Sequence, residues 1–219
     1  MKIIAILSIF LAGVFGSNDH RITDRDLINP GLKEVLLLGD SVMAGIGQSA
    51  QGKDYLARNH NYIFGAVGCQ RLTTVGCTES SKLSSLEILK LNAGSFTKAV
   101  VVSTGYNDYN NSDLFLKNIR AICFEAKLQG VSVYWLTYRE KGNVKKKSKI
   151  FNNVLEAESL INKNLHIVDW NSLSSQNKGW FSGDDIHLQG IGQLKMAQII
   201  SDAINATVTN LNFAQRHQR

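Results

Sequence analysis

The chain has 219 residues, 44% hydrophobic and 19% charged, a balance that excludes a disordered polymer and suffices to bury one domain-sized core. Its formal charge of +6 makes nucleic acid the first partner to test, yet five of the lysines lie in one run, Lys141 to Lys149. No zinc-finger spacing, RNP-like aromatic signature or long basic arm accompanies that run, so nucleic acid is set aside and weak attraction to anionic surfaces remains.

Residues 1–16 read as a signal peptide. Lys2 supplies a minimal positive start, Ile3 to Val14 is almost entirely apolar, and Val14-Phe15-Gly16 leads to a cleavage point before Ser17. The apolar run is shorter than the roughly 20 residues a membrane span needs. The sequence therefore predicts an exported protein, secreted, periplasmic or associated with the cell envelope, with no stable membrane span once the leader is removed. Residues 17–33 form a polar approach, 34–208 the folded domain and 209–219 a polar tail.

In chain order, Val35 to Gly39 predicts a strand buried on both faces, because four apolar residues run straight into Gly39-Asp-Ser41. A helix is expected near Ser41 to Gln48, a loop through Asn59, and a short strand over Tyr62 to Val67. Leu83, Leu86, Ile88, Leu89 and Leu91 predict a helix over Ser81 to Leu91, with Ser85 and Glu87 on its wet side. Lys98 to Ser103 is a second buried strand. Asp113 can cap a helix whose apolar positions are Leu114, Leu116, Ile119, Ile122, Phe124 and Leu128, ended by Gly130. Val131 to Leu136 is the next strand, and a helix follows around Ile150 to Ile161, its inner side carrying Phe151, Val154, Leu155, Ala157 and Leu160. The lysine run ahead of it reads as a solvated helix start. Leu165 to Trp170 is the last strand. The final helix, about Gly190 to Thr207, is expected to bury Ile191, Leu194, Ala197, Ile200 and Ile204. This alternation predicts an α/β protein, one three-layer α/β/α sandwich on a mainly parallel sheet with right-handed crossovers.

Cys69 and Cys77 stand close together in a Gly-rich loop and suit a disulfide, worth roughly 2–3 kcal/mol for so short a loop. Cys123 falls in a helical pattern and reads as a small buried hydrophobe. His20, His60 and His217 lie in polar surroundings, and His166 alternates with strand residues.

Three chemically loaded segments stand at inferred carboxyl ends of strands, or in loops on that side: Gly39-Asp-Ser41, Gly105-Tyr-Asn-Asp108 and Asp184-Asp-Ile-His187. Each has an ordinary alternative, a helix cap for the first, a turn for the second and a structural pair for the third. Together their residue types fit acyl transfer. A Ser hydroxyl needs a base, His is matched to that work near neutral pH, and Asp holds the imidazole in the useful tautomer. The backbone N–H of Ser41, an N–H at a Gly-rich turn and the amide of Asn107 can receive the developing oxyanion.

These blocks resemble those of the SGNH (GDSL-type) hydrolases, over a stretch from about Val35 to Ile200. The likeness extends to the SGNH domains found alone or fused to bacterial membrane acyltransferases, which carry segments similar to Gly105 to Asp108, Asp169-Trp170, Trp180-Phe181 and Asp184 to Leu188. The resemblance implies a flavodoxin-like SGNH fold, with Ser41 as nucleophile, His187 as general base, Asp184 as its orienting acid and Asn107 in the oxyanion hole. Gly68 best fits the remaining backbone donor, with Gly65 and Gly76 as competitors. Asp185 departs from the pattern by standing where such proteins usually have Gly. The expectation is a serine esterase or O-deacylase working through an acyl-enzyme on a small-molecule or glycan ester, without cofactor or metal. An O-acyltransferase and a non-catalytic glycan-binding module are the alternatives. Tyr106, Tyr109, Trp180 and Phe181 are candidate sugar-stacking surfaces, and Arg71 and Arg139 candidate contacts for an anionic group.

Overall fold

Runs of β-branched and aliphatic residues form a central sheet whose two faces are both covered. The computed structural model describes residues 32–216, so the expected leader and the approach segment up to residue 31 lie outside the described residues, as do His20 and His217. Strands β1 (Lys33–Gly39), β2 (Tyr62–Phe64), β3 (Phe96–Ser103), β4 (Ser132–Leu136) and β5 (Leu165–Val168) lie in the order β2-β1-β3-β4-β5, every neighbouring pair parallel. Helices α1 (Ser41–Gln48), α2 (Ala50–Asn59), α3 (Ser85–Leu91), α4 (Ser112–Leu128), α5 (Lys145–Ile161), α6 (Trp170–Ser175) and α7 (Ile191–Arg216) connect and follow them.

Side chains alternate across a strand, and that period assigns the two cores. Leu36, Leu38, Val100, Val102, Val133 and Trp135 face a layer built by α3, α4 and α5. Val35, Leu37, Val101, Tyr134 and Val168 face α1, α2 and α7. The expected three-layer α/β/α sandwich is the observed one. Because β1 neighbours both β2 and β3, its carboxyl end lies where the strand order reverses, the crevice in which such sheets place ligands.

Several local expectations are corrected. The segment expected as a loop through Asn59 is α2, capped by Ser49, whose hydroxyl accepts from Gly52 N at 3.2 Å; it buries only Gly52 and Leu56, too little to show a stripe. Strand β2 stops at Phe64, although Gly65 and Val67 still donate to the Leu37 and Gly39 carbonyls. Helix α3 starts late, behind a Ser84–Glu87 capping box, and this turns Ser85 inward instead of to water. Helix α4 is capped by Asn111, not Asp113, and buries Phe115, Ile119, Ile122 and Ala126; Leu114, Phe124 and Leu128 belong to a second stripe that faces out. Helix α5 begins at Lys145, and its Leu160 is exposed. The β5 segment yields early to α6, whose cap Asp169 accepts from Ser172 N. Helix α7 runs on to Arg216, through most of the expected polar tail, and Ile191 at its start is exposed. His60 is buried against Ser201 Oγ at 2.9 Å.

Cys69 and Cys77 are joined in a disulfide with Cα atoms 5.5 Å apart, and Cys123 is buried with a free thiol. Among the described residues no helix is long and apolar enough to cross a membrane, and no group of three or more His, Cys, Asp or Glu is placed to hold a metal.

The α3–α5 core centres on Phe115, stacked on Phe151 with ring centroids 3.8 Å apart and meeting Trp135 and Tyr138 edge-on. Phe115→Ala is expected to lower the unfolding free energy by about 3–5 kcal/mol in urea titration. A loss below about 1 kcal/mol would show that this layer does not carry the packing described.

Candidate active site

The strand-to-helix turn after β1 is shaped by close packing. A Cβ on Gly39 would lie 2.0 Å from Met43 Cβ, so only glycine lets α1 start directly over the strand end. The residue that caps α1 is Asp40, not Ser41: its Oδ1 accepts from Val42 N at 3.1 Å. That assignment leaves the Ser41 hydroxyl free of the capping duty that a serine at a helix start often takes. Its Oγ lies 2.8 Å from His187 Nε2.

His187 and Asp184 come from one tight turn ahead of α7. Asp184 Oδ2 lies 2.5 Å from His187 Nδ1, while Oδ1 accepts from Ser182 Oγ and from the backbone of Ile186 and His187. A carboxylate can only accept, so Nδ1 carries a hydrogen and Nε2 presents its lone pair to the Ser41 hydroxyl. Burial works to raise the Asp184 pKa, but the hydrogen bonds from His187, Ser182 and the two N–H groups outweigh it, and the carboxyl stays ionised well below the usual carboxylate range. The His187 and Asp184 side chains are 50% and 43% exposed, so the site opens widely to solvent.

Asp185 adopts φ +63°, a left-handed conformation that favours glycine. Here the aspartate carboxylate lies 3.6 Å from Arg139. Arg139 is buried, sits over the Phe181 ring at 3.8 Å and donates to the Ser174 carbonyl, so it braces the Asp184 turn and does not reach out for an anionic substrate.

The Gly105–Asp108 loop is fastened from every side. Asp40 Oδ2 accepts from Gly105 N at 3.2 Å and Tyr106 N at 3.1 Å. Gly105 is required by close approach, because a Cβ there would meet Tyr138 Oη at 2.1 Å. Lys147 Nζ donates to the carbonyls of Tyr106 (2.5 Å) and Asp108 (3.2 Å), the residues on either side of Asn107. Arg71 Nε donates to the Asn107 carbonyl itself at 3.0 Å. Asn107 Nδ2 reaches the Gln70 carbonyl at 3.4 Å, which brings its amide beside the Gly68–Gln70 turn. Of the three glycines weighed for that turn, Gly65 and Gly76 spend their N–H on Leu37 O and Ser81 O. Among the described residues no acceptor takes the N–H of Gly68, and open space surrounds the position its Cβ would occupy.

Other candidates serve packing. The Tyr106 hydroxyl accepts from Arg139 N at 2.8 Å and its ring meets Tyr138 edge-on; burial holds its pKa well above the usual phenol range. Trp180 stacks on Trp170 at 5.9 Å, and Phe181 is buried. Tyr109 is exposed, with the Arg71 guanidinium over its ring at 5.0 Å.

Two residues escaped sequence reasoning. Lys147 belongs to a run read as solvated, yet it sits one turn ahead of buried Phe151 on the inward face of α5, a spacing that could have marked it. Asp108 accepts from Leu72 N and Asn118 Nδ2 and is buried; nothing local distinguishes it from a turn aspartate. Burial pushes Asp40 up to about 6 and Asp108 up to about 7, the latter helped by the charge of Asp40. Burial likewise lowers Lys147, partly offset by those two carboxylates.

No family model matches the chain, and no curated protein does. Solved structures do. A GDSL-like lipase from Bacteroides thetaiotaomicron superposes with a TM-score of 0.64 at 20% identity, covering 80% of this chain and 89% of the other. The C-terminal catalytic domain of peptidoglycan O-acetyltransferase A from Streptococcus pneumoniae, bearing a methylsulfonyl adduct, gives 0.58 at 19%, covering 84% and 96%. The psychrotrophic esterase EstA from a Pseudoalteromonas species gives 0.62 at 15%, covering 80% and 98%. The chain therefore has the α/β/α fold of SGNH (GDSL-type) hydrolases.

The raised carboxyls have a consequence for stability. Between the ordinary value of 3.8 and about 7 the folded protein keeps a proton on Asp108 that the unfolded chain has lost, so this group makes stability fall as pH rises through that window. Asp108→Asn keeps an acceptor for Leu72 N and removes the titration. Urea unfolding across that range is expected to show the wild type losing stability relative to the variant as pH rises. Parallel curves would contradict the assignment.

Proposed function

We propose that this chain is a serine ester hydrolase or O-deacylase of the SGNH type that works through an acyl-enzyme. The observation that carries the reading is the continuous relay from Ser41 Oγ through the His187 ring to the Asp184 carboxylate. In the proposed reaction Ser41 Oγ attacks the ester carbonyl as His187 Nε2 takes its proton. His187 then passes that proton to the departing alcohol oxygen. Water, deprotonated by the same imidazole, attacks the acyl-serine and regenerates Ser41. The N–H groups of Ser41 and Gly68 and the Asn107 amide receive the oxyanion, and Asp184 stabilises the imidazolium formed on the way. Lys147 and Arg71 act as positioning residues, because together they hold the carbonyls of three successive residues centred on Asn107.

The width of the site supports an ester on a bulky carrier such as an acylated carbohydrate or cell-envelope polymer. A cavity of about 490 Å³, lined in part by Ala44, Gln48, Phe64, Val67 and Gly68, adjoins the proposed oxyanion donor and suits part of the substrate. Transfer of the acyl group to a glycan hydroxyl is the second reading, favoured by the exposure of His187 and by the likeness to an O-acetyltransferase domain. Export is supported by the sequence of residues 1–16 and by the Cys69–Cys77 disulfide, which persists in oxidising compartments.

Ser41→Ala is expected to reduce turnover of p-nitrophenyl acetate to background while circular dichroism stays unchanged, and Asn107→Ala to lower kcat by roughly 10²–10³. Wild-type protein without turnover of any short-chain ester would end the enzyme reading. Adding chito-oligosaccharide to the same assay separates the two outcomes, since free acid marks hydrolysis and acylated sugar marks transfer. Lys147→Met is expected to lower kcat about 10–100-fold with little change in KM or melting temperature. A fall in melting temperature with kcat preserved would make Lys147 a stability residue only.

A further inference from the structure

The five most exposed large hydrophobic side chains among the described residues gather at one edge of the molecule: Leu160 (74% exposed), Leu91 (69%), Ile161 (67%), Leu128 (66%) and Phe124 (64%). They belong to the last turns of α3, α4 and α5, three helices of the same layer. Each of these helices runs directly into the next strand of a parallel sheet. Their carboxyl ends therefore line the amino edge of the sheet, opposite the edge that carries Ser41. Gln129 Nε2 donates to the Leu89 carbonyl at 3.2 Å and ties the end of α4 to that of α3; the Arg120–Glu158 ion pair at 2.9 Å ties α4 to α5. Phe124 and Ile161 line one shared groove of about 770 Å³. Single exposed apolar residues are ordinary, but five on one rim are not explained by folding, because none of them fills the core.

The charges on this rim decide what it fits. Lys90, Lys127 and Lys163 are exposed beside the apolar tips; of the acids near them Glu158 is paired with Arg120, Glu125 accepts from the neutral Gln129 amide and Glu156 is exposed, so the lysines outnumber the unpaired carboxylates and the rim is positive. A two-fold contact with a second copy would bring two rims of the same positive sign together, which opposes it. Nucleic acid would meet the lysines but offers nothing to the leucines. A bilayer with acidic headgroups satisfies both, with the ammonium groups at phosphate level and the apolar tips below them.

We infer that the amino edge of the sheet, through Leu91, Phe124, Leu128, Leu160 and Ile161 and their flanking lysines, is a peripheral docking face for an anionic lipid bilayer. Docking there turns the Ser41 edge away from the membrane. The inference stands on its own, whatever the Ser41 site acts on.

The full chain is the right sample, and a probe on a chosen side chain is the right readout, because the Ile3–Val14 run would itself partition into lipid. Leu160→Cys carries an environment-sensitive fluorophore such as NBD at the proposed face, and Tyr109→Cys, exposed in the Gly105–Asp108 region, carries it at the opposite edge. Phosphatidylcholine vesicles containing phosphatidylglycerol are expected to brighten and blue-shift the probe at 160 and leave the probe at 109 unchanged. Adding Phe124→Glu and Leu128→Glu is expected to raise the lipid concentration needed by about tenfold or more. No response at 160, an equal response at both positions, or an equal response to pure phosphatidylcholine overturns the inference. So does a response at 160 that follows protein concentration without lipid, which would mark a contact between copies.

Discussion

An ionisable carboxyl with no solvent access is costly to place at the end of a buried strand, and Asp40 is tolerated there because three backbone N–H groups converge on it. One belongs to α1, which begins with Ser41, and two belong to Gly105 and Tyr106. The same side chain thus caps the helix that presents the hydroxyl and fixes the loop that presents Asn107. The two segments lie 65 residues apart in sequence, and β1 and β3 bring them together by pairing from Lys33–Phe96 through Gly39–Ser103. Burial raises the Asp40 pKa to about 6 even against those donors, so the carboxylate is under electrostatic strain near neutral pH. A substitution that removed it would leave two buried N–H groups, of Val42 and Gly105, and the part-buried one of Tyr106 unpaired, each buried one costing roughly 1–3 kcal/mol.

Around that contact the protein arranges charges in layers. Lys147 and Arg71 hold the carbonyls of the Asn107 loop, balancing the buried acids Asp40 and Asp108 with two cations. Arg139 does comparable work on the other side, bridging Asp185 and Ser174 so that the turn carrying Asp184 and His187 has a braced base. In the proposed reaction this bracing matters because an oxyanion donor acts only if it is in place before charge develops. The site is therefore exposed at its surface and braced beneath it.

Much of this was legible in the sequence because the signals were periodic or local. The buried strands announce themselves as apolar runs, and Gly39-Asp-Ser41, Asn107 and Asp184–His187 lie at strand ends or in loops where chemistry is expected. What failed to show follows a consistent physical pattern. Helix α2 buries one large side chain and so has no stripe. Helix α4 carries two apolar stripes, and sequence alone does not say which faces the core; the answer, Phe115 in and Phe124 out, leaves the second stripe for another use. Lys147 reads as a solvated cation and Arg139 as a contact for an anionic group, because their partners are distant backbone carbonyls and, for Arg139, the Asp185 carboxylate as well. The role of Asp40 was hidden for the same reason: two of its three donors lie far along the chain.

The central claim is that the Ser41 hydroxyl is activated by His187 to act as a nucleophile. Intact-mass and peptide analysis after brief treatment with a fluorophosphonate tests it most directly. The account predicts one phosphonyl adduct per chain, located on Ser41, absent from Ser41→Ala and formed far more slowly in His187→Ala. No adduct on the folded protein, or an adduct that persists in Ser41→Ala, would contradict it.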